Sequence, residues 1–539
     1  MDSILEIKTD SSRVFLYRRN VFLPILFVFL IVVLHAAVNY FILVRSRFCL
    51  LGDSAFHYSE SFVFFNQLKQ FFKAGDFIDF FRDYTAIGSN YRTPFLMLAT
   101  IPFYFIFGVS QTTAIMSNML FFLVLVSSVY GIARILYNQK TAILASLIVS
   151  VLPGIFSQSR IFLQDLALSA MVALSFYLLI KSDNFKNFRI SLIFGVIFGL
   201  GLLTKWSYPI FMILPMLFMV DWRRVVVKNL FLGLSIGLLI ASSWYIPNLS
   251  NIILRLPKSA FSILNVNNDR WYYYLETLYD YQLLPVYFAL LISGITFLVL
   301  KKEFIFPLFV IFPIVLFSFS HNKDARFILP VFFVIAIIIA RFIVWFDREQ
   351  ILVKIIIIFS LVQFIAICFF PTKTPWIKKI INVNRVYPDN MQGLYFATDR
   401  GDWKTTQIFE TLSVHLSDDA DKKYQVLSIP ALPGLHSPLI IASAKEALSV
   451  EFICPAEFDQ SLIDQEIDFD KIIHDSDFVI TKTGYMGISF IKGFLNETNK
   501  AFLRHKHEFI VLKTFSLEHV PGSDIDDSVV YLYKRIDKN

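Results

Sequence analysis

Eleven runs of apolar residues recur between positions 21 and 370, most of them close to the ~20 residues a helix needs to cross the hydrocarbon of a bilayer. Such a chain has few options. In lipid, every backbone N–H and C=O must find its partner inside the spanning segment, so bundled helices are the expected solution. The runs lie at roughly 21–45, 111–136, 141–157, 165–181, 189–205, 208–222, 228–247, 283–300, 303–320, 327–346 and 351–370. Hydrophobic residues make up 56% of the chain, against about 45–50% apolar usage in soluble domains.

The basic residues read as topology signals. The formal charge is +7, but Lys and Arg are scattered between apolar runs, so no nucleic-acid partner is expected. With the N-terminus inside, Arg134 and Lys140, then Lys181, Lys186 and Arg189, then Arg223, Arg224 and Lys228, then Lys301 and Lys302, then Arg348 and Lys354 all fall on the cytoplasmic side. The outer side receives the long loop 46–110, the short loops around Arg160 and Lys205, the loop 248–282, the loop His321–Arg326 and the tail. The first run follows Arg18 and Arg19, exceeds a signal-peptide core and meets no small-residue cleavage site, so it is expected to be retained. An integral protein of a bacterial inner (plasma) membrane is the expectation.

Within the outer loop, Pro94–Phe107 is apolar but only about two-thirds of a spanning length. If it crossed, every later basic loop would face outward against the charge rule, so an interfacial or re-entrant helix is expected. Ser59–Phe81 is rich in Phe with Lys69, Lys73 and Asp76 interspersed, which suits an amphipathic helix on the membrane surface. After Phe370 the composition turns polar. Trp403–Leu416 and Ile463–His474 read as amphipathic helices, and YQVLSI, DFVIT, FIVLKTF and SVVYLYK as strands. The expected fold class is therefore a polytopic α-helical membrane protein, with a transmembrane domain over 1–370 and an extracytoplasmic soluble α/β domain over 371–539.

Cys49, Cys368 and Cys454 form no metal-ligand spacing, although a Cys49–Cys368 pair stays open. The triplet Asn496-Glu497-Thr498 is a sequon that arises often by chance and carries no weight.

Residues able to do chemistry collect at the outer ends of the runs. Asp53, just past the first run in LGDSAFHYSE, can take a proton from a hydroxyl, or simply cap the next helix. His57 shares a helix face with it if the helix begins that early, and Glu60 follows one turn on. Asp165 opens a span after SQSRIFLQ, with Arg160 as the nearest cation in sequence. Lys205 interrupts GLGLLTKWSYP, where snorkelling to the interface or lining a pocket are both open. Arg326 closes the polar loop that starts at His321, and Arg92 precedes Pro94. Both guanidiniums suit a phosphate or a polar interface.

These pieces together resemble the C-type membrane glycosyltransferases, in particular the branch of protein O-mannosyltransferases and lipid A aminoarabinose transferases. The resemblance rests on GDSAFHY, on TPFLMLATIPFYFIFGVS, on SQSRIFLQD, on GLGLLTKWS and on DARFILP, in that order across residues 20–346. It implies inverting transfer of a sugar from a polyprenyl-phosphate carrier to a lipid, glycan or protein acceptor on the outer side. Asp53 then matches the catalytic acid position as general base, and Asp165 the second acid. Lys205 and Arg326 match cations that neutralise the lipid phosphate, with Arg92 and His321 nearby. Many members carry two adjacent acids in the first motif, where Ser54 stands here, and two prolines or Lys-Pro where Thr93-Pro94 stands here.

No cofactor is expected to be required. A divalent metal is possible, with Asp53, Asp165 and His57 as the available ligands. Two other functions compete: a glycan ligase or polymerase with a lipid-diphosphate donor, and a lipid or solute transporter. Transporters place charged groups at the bilayer midplane, whereas here they gather at one edge. Labelling intact cells with a membrane-impermeant thiol reagent is expected to reach Cys454 from outside, and labelling only after lysis would overturn the orientation.

Overall fold

A computed structural model of the chain describes residues 22–45, 50, 52–86, 92–222, 224–250, 252–253, 271–320, 323–347, 351–369, 404–416, 424–430, 450–453, 468–483, 494–517 and 528–536. Each of the eleven apolar runs contains a helix. In chain order, α1 (Phe22–Arg45) is followed by three helices of the loop 46–110: α2 (Gly52–Ala74), α3 (Phe77–Ala86) and α4 (Phe95–Phe107). Then come α5 (Gln111–Leu136), α6 (Gln139–Val151), α7 (Pro153–Gln158), α8 (Gln164–Lys181), α9 (Phe188–Leu202), α10 (Tyr208–Met219) and α11 (Val227–Tyr245). The membrane part closes with α12 (Tyr273–Thr277), α13 (Leu284–Leu300), α14 (Ile305–Ser318), a 3-10 turn Ala325–Val331 leading into α15 (Phe332–Phe346), and α16 (Ile351–Phe369). Among the described residues, six helices are long and apolar enough to cross a membrane, and further apolar helices of 10–17 residues lie beside them.

Local chemistry sets the helix ends. Ser110 and Asn138 accept the N–H groups of Thr113 and Thr141, satisfying donors that a helix N-terminus leaves unpaired. Pro153 ends the expected run 141–157 as one helix: its ring cannot continue the α6 ladder but fits the first turn of α7. The expected surface helix Ser59–Phe81 differs in two ways. It begins earlier, at Gly52, and it breaks at Gly75, whose φ of +74° is a left-handed conformation that glycine tolerates. Asp76 then caps α3 by accepting the N–H groups of Ile78 and Asp79. The loop 248–282 also carries structure, namely α12 and the π-turn Leu278–Gln282.

Two segments lie innermost. For the α8 span and the Ala325–Phe346 span, 78% of the window is buried, against 33% for the α1, α11 and α16 spans, so the former hold the core and the latter face outward. Helices α9 and α11 cross through paired small residues, Gly195 and Gly199 against Gly233 and Gly237. A Cβ on Gly195 would stand 2.1 Å from the Gly233 carbonyl oxygen, so only glycine lets the backbones approach this closely.

The described residues after α16 include α17 (Thr405–Val414), β1 (Tyr424–Ser428), β2 (Val450–Ile453), α18 (Phe469–Asp475), β3 (Phe478–Lys482), α19 (Phe494–His505), β4 (Phe509–Leu517) and β5 (Ser528–Arg535). The strands form one sheet in the order β2-β1-β3-β5-β4, with β1 parallel to β2 and β3, and β5 antiparallel to β3 and β4. Ile408 and Leu412 of α17 cover one face with Val426 and Ile480, while Ile473, Ala501 and Phe502 cover the other with Leu427 and Val479. The four strand-like runs read from sequence each form a strand, and β2 adds a fifth.

Replacing Gly195 with leucine is expected to force α9 and α11 apart and lower stability by about 1–3 kcal/mol. Thermal unfolding of the purified protein in detergent, compared with an exposed control such as Leu239→Ala, measures this.

Candidate active site

Asp53 is the second residue of α2, where the positive end of the helix favours an acid. Its Oδ1 accepts a hydrogen bond from an Arg92 terminal nitrogen at 2.6 Å, and its Oδ2 one from Arg326 at 3.0 Å. The Arg92 guanidinium lies over the Phe56 ring, 4.2 Å from its centroid. Asp165, in the first turn of α8 and 2% exposed, accepts from Lys205 Nζ at 2.6 Å and has Arg326 Nε at 3.9 Å. Arg326 is oriented by Asp324, whose Oδ1 accepts the Arg326 backbone N–H at 3.0 Å and whose Oδ2 accepts Nε at 2.7 Å. Lys205 Nζ also stands 5.1 Å from the Phe327 ring centroid. Three cations and three carboxylates from separate segments thus interlock at one end of the helix bundle.

The backbone fixes this arrangement. Gln164 donates to the Thr93 carbonyl at 2.6 Å, and the Phe95 N–H donates to the Leu203 carbonyl at 3.0 Å. Arg92, Asp165 and Lys205 therefore sit on ends of α4, α8 and α9 that are bonded to one another. Thr93 supplies a carbonyl to this seam.

Charge decides the protonation states. Asp53 keeps 38% of its side chain open, yet its surroundings are dense enough that burial alone would push its carboxyl up. Arg92 and Arg326, with His57, outweigh that and hold it well below the usual carboxylate range. His57 is 3% exposed, and burial, then the Arg92 charge, pushes it down to about 3, so the imidazole is neutral. The Asp324 carboxyl is pushed up by burial, with Arg326 opposing.

Because α2 begins at Gly52, Asp53 and His57 lie one helical turn apart, and the His57 Nδ1 has no hydrogen-bond partner among the described residues. Glu60 lies one turn further along α2 and is half-buried. Arg160 turns elsewhere. It is 1% exposed, donates to Asn39 Oδ1 at 2.8 Å and to Cys368 Sγ at 2.8 Å, and packs over Phe156. It ties α1 to α16, and Lys205 rather than Arg160 is the close partner of Asp165. His321 and Cys49 lie outside the described residues. Among the described residues, no group of three His, Cys, Asp or Glu side chains could hold a metal ion.

Sequence reasoning missed Asp324. Its only signal is the Asp-x-Arg spacing at a helix start, where an acid caps the backbone and grips the arginine two residues on.

Residues 92–246 match the dolichyl-phosphate-mannose-protein mannosyltransferase family, a segment that contains Arg92, Asp165 and Lys205. The fold is similar to that of ArnT from Cupriavidus metallidurans in the apo state, with a TM-score of 0.56 and 14% identity over 94% of this chain and 97% of that one. The same values hold for that protein bound to undecaprenyl phosphate. It is also similar to the archaeal oligosaccharyltransferase AglB from Archaeoglobus fulgidus in complex with an inhibitory peptide and a dolichol-phosphate, with a TM-score of 0.52 and 10% identity over 84% of this chain and 69% of that one. No curated protein matches the chain by sequence.

The depressed Asp53 carboxyl has a consequence for stability. Its pairs stabilise the fold above the unfolded carboxyl value of about pH 4, and that contribution is lost only as the pH falls further, towards the folded value. The difference in unfolding temperature between wild type and Asp53→Asn is expected to stay constant from about pH 5 to 8 and to change only below about pH 4. A difference that changes between pH 5 and 7 would show a carboxyl that is not held down.

Proposed function

We propose that this chain, a membrane glycosyltransferase of the C type, moves a sugar from a polyprenyl-phosphate carrier to a hydroxyl acceptor on the extracytoplasmic side, with inversion at the anomeric carbon. The observation that carries this reading is the Arg92–Asp53–Arg326 bridge beside Lys205: a carboxylate set among cations suited to a phosphate. The undecaprenyl phosphate bound to ArnT and the dolichol-phosphate bound to AglB support the donor class. The inhibitory peptide held in the AglB complex together with dolichol-phosphate supports room for a second ligand along with the carrier.

In the reaction, the acceptor oxygen attacks the anomeric carbon as the bond from that carbon to the phosphate oxygen breaks. The acceptor proton passes to Asp53, and the bonding pair stays with the leaving phosphate. The donor phosphodiester carries one negative charge and the departing lipid phosphate two, so charge develops on the phosphate in the transition state. Arg92, Lys205 and Arg326 stand where that charge is neutralised, a contribution of about 3–4 kcal/mol for a well-placed donor. Asp165 holds Lys205, and Asp324 holds Arg326, so neither cation must be ordered at the moment of reaction. The neutral His57 offers its buried Nδ1 to a hydroxyl of sugar or acceptor. These cations meet the need a divalent metal would otherwise meet, so activity is expected to survive chelation.

Purified protein incubated with a panel of polyprenyl-phosphate sugars is expected to release lipid phosphate. Asp53→Asn should lower kcat by about 10²–10⁴-fold, the usual range for a lost general base. Equal turnover by both would remove Asp53 from this role, and turnover only with lipid-diphosphate donors would favour a glycan ligase or polymerase.

A further inference from the structure

A carboxylate that accepts hydrogen bonds from two guanidiniums is a poor proton acceptor, because both charges favour its ionised form. Asp53 is in that position, with one oxygen on Arg92 at 2.6 Å and the other on Arg326 at 3.0 Å. The residue placed to act as base has both oxygens occupied in the ligand-free site, and by the very groups placed to bind the donor. We infer that Arg92 and Arg326 are shared between two anions: they hold both Asp53 oxygens in the empty site, and the donor phosphate draws them off, so that the base is freed only once the donor is seated. This rests on the lipid-phosphate reading above and adds to it an order of events.

The surroundings let the two arginines exchange partners without losing their place. Arg326 keeps its backbone N–H and Nε on Asp324, so a small tilt of the planar guanidinium about that anchor takes its terminal nitrogen off Asp53. Arg92 sits over the ring of Phe56, three residues after Asp53 on α2, and can shift along that ring while keeping the contact. The guanidinium fork matches two phosphate oxygens as well as it matches a carboxylate. Lys205 differs: its partner Asp165 is 2% exposed and lies at 2.6 Å, so this pair stays fixed and marks the phosphate position. Asp53, at 38% exposed, is the open member of the cluster, and the side from which a ligand can reach both arginines.

Such an exchange has chemical value. A base exposed before the donor arrives has nothing productive to deprotonate. One uncovered by the donor's own charge rises in basicity when the anomeric carbon is in place, as a phosphate replaces a guanidinium as its neighbour.

The test uses farnesyl methyl phosphate, a lipid phosphodiester with one permanent charge and no sugar. Its binding to the full-length protein is followed by calorimetry at about pH 5 in two buffers of different ionisation heat. Wild type is expected to take up a fraction of a proton on binding. Asp53→Asn should take up none and bind about 5–20-fold more tightly, since no carboxylate competes for the arginines. Arg92→Gln should bind several-fold more weakly and take up less. Binding by wild type with no uptake dependent on Asp53 overturns the exchange and leaves the donor assignment standing. Absence of binding by wild type and Asp53→Asn alike overturns both.

Discussion

The Arg326 guanidinium group reaches Asp324, Asp53 and Asp165 at 2.7, 3.0 and 3.9 Å, and these acids come from a short loop, the start of α2 and the start of a central span. Its charge is what allows three acids to stand together in a site closed on most sides. Without it, Asp53 and Asp165 would each be left with one cation, Arg92 and Lys205, and Asp324 would lose its ion pair, an uncompensated charge that in such a place costs several kcal/mol. The geometry is over-determined: Asp324 grips both the backbone and the side chain of Arg326, so the guanidinium enters the cluster from one direction.

The rest of the membrane part positions the elements that carry those charges. The glycine crossing of α9 and α11 fixes where α9 ends, and thus where Lys205 emerges. α8 is buried on nearly every side, so Asp165 at its start moves little. The seam from Thr93 to Gln164 and from Phe95 to Leu203 then brings the loop that carries α2 to α4 onto those ends. A second buried cation, Arg160, does for the outer helices α1 and α16 what Arg326 does for the site. It uses neutral acceptors, Asn39 and Cys368, and so contributes cohesion with no carboxylate in the pairing.

This division separates two uses of charge. The arginine that binds neutral partners is 1% exposed, while the cluster at Asp53 is the part open to a ligand. A phosphate can compete for arginines that already hold a carboxylate, and the charge it adds is offset where that carboxylate takes up a proton.

How much of this was legible beforehand differs from element to element. The eleven helical runs and four of the five strands follow from local pattern, since length, hydropathy and period-two alternation are properties of neighbours in sequence. The positions of Asp53, Arg92, Asp165, Lys205 and Arg326 at the ends of apolar runs were legible for the same reason: a charge next to a span is conspicuous. Strand β2 was not, being four residues with a glutamate inside, and neither was the start of α2 at Gly52. What only the tertiary structure decided is who pairs with whom. Arg160 lies five residues before Asp165 yet turns to Asn39, while one of the two partners of Asp53 is Arg326, separated from it by 273 residues. Sequence by itself determined that this chain crosses a membrane and holds its ionisable groups at the helix ends. Helix packing determined that those groups form one site, because pairing depends on which ends meet in space, and that is set by contacts such as the glycine crossing that no single run contains.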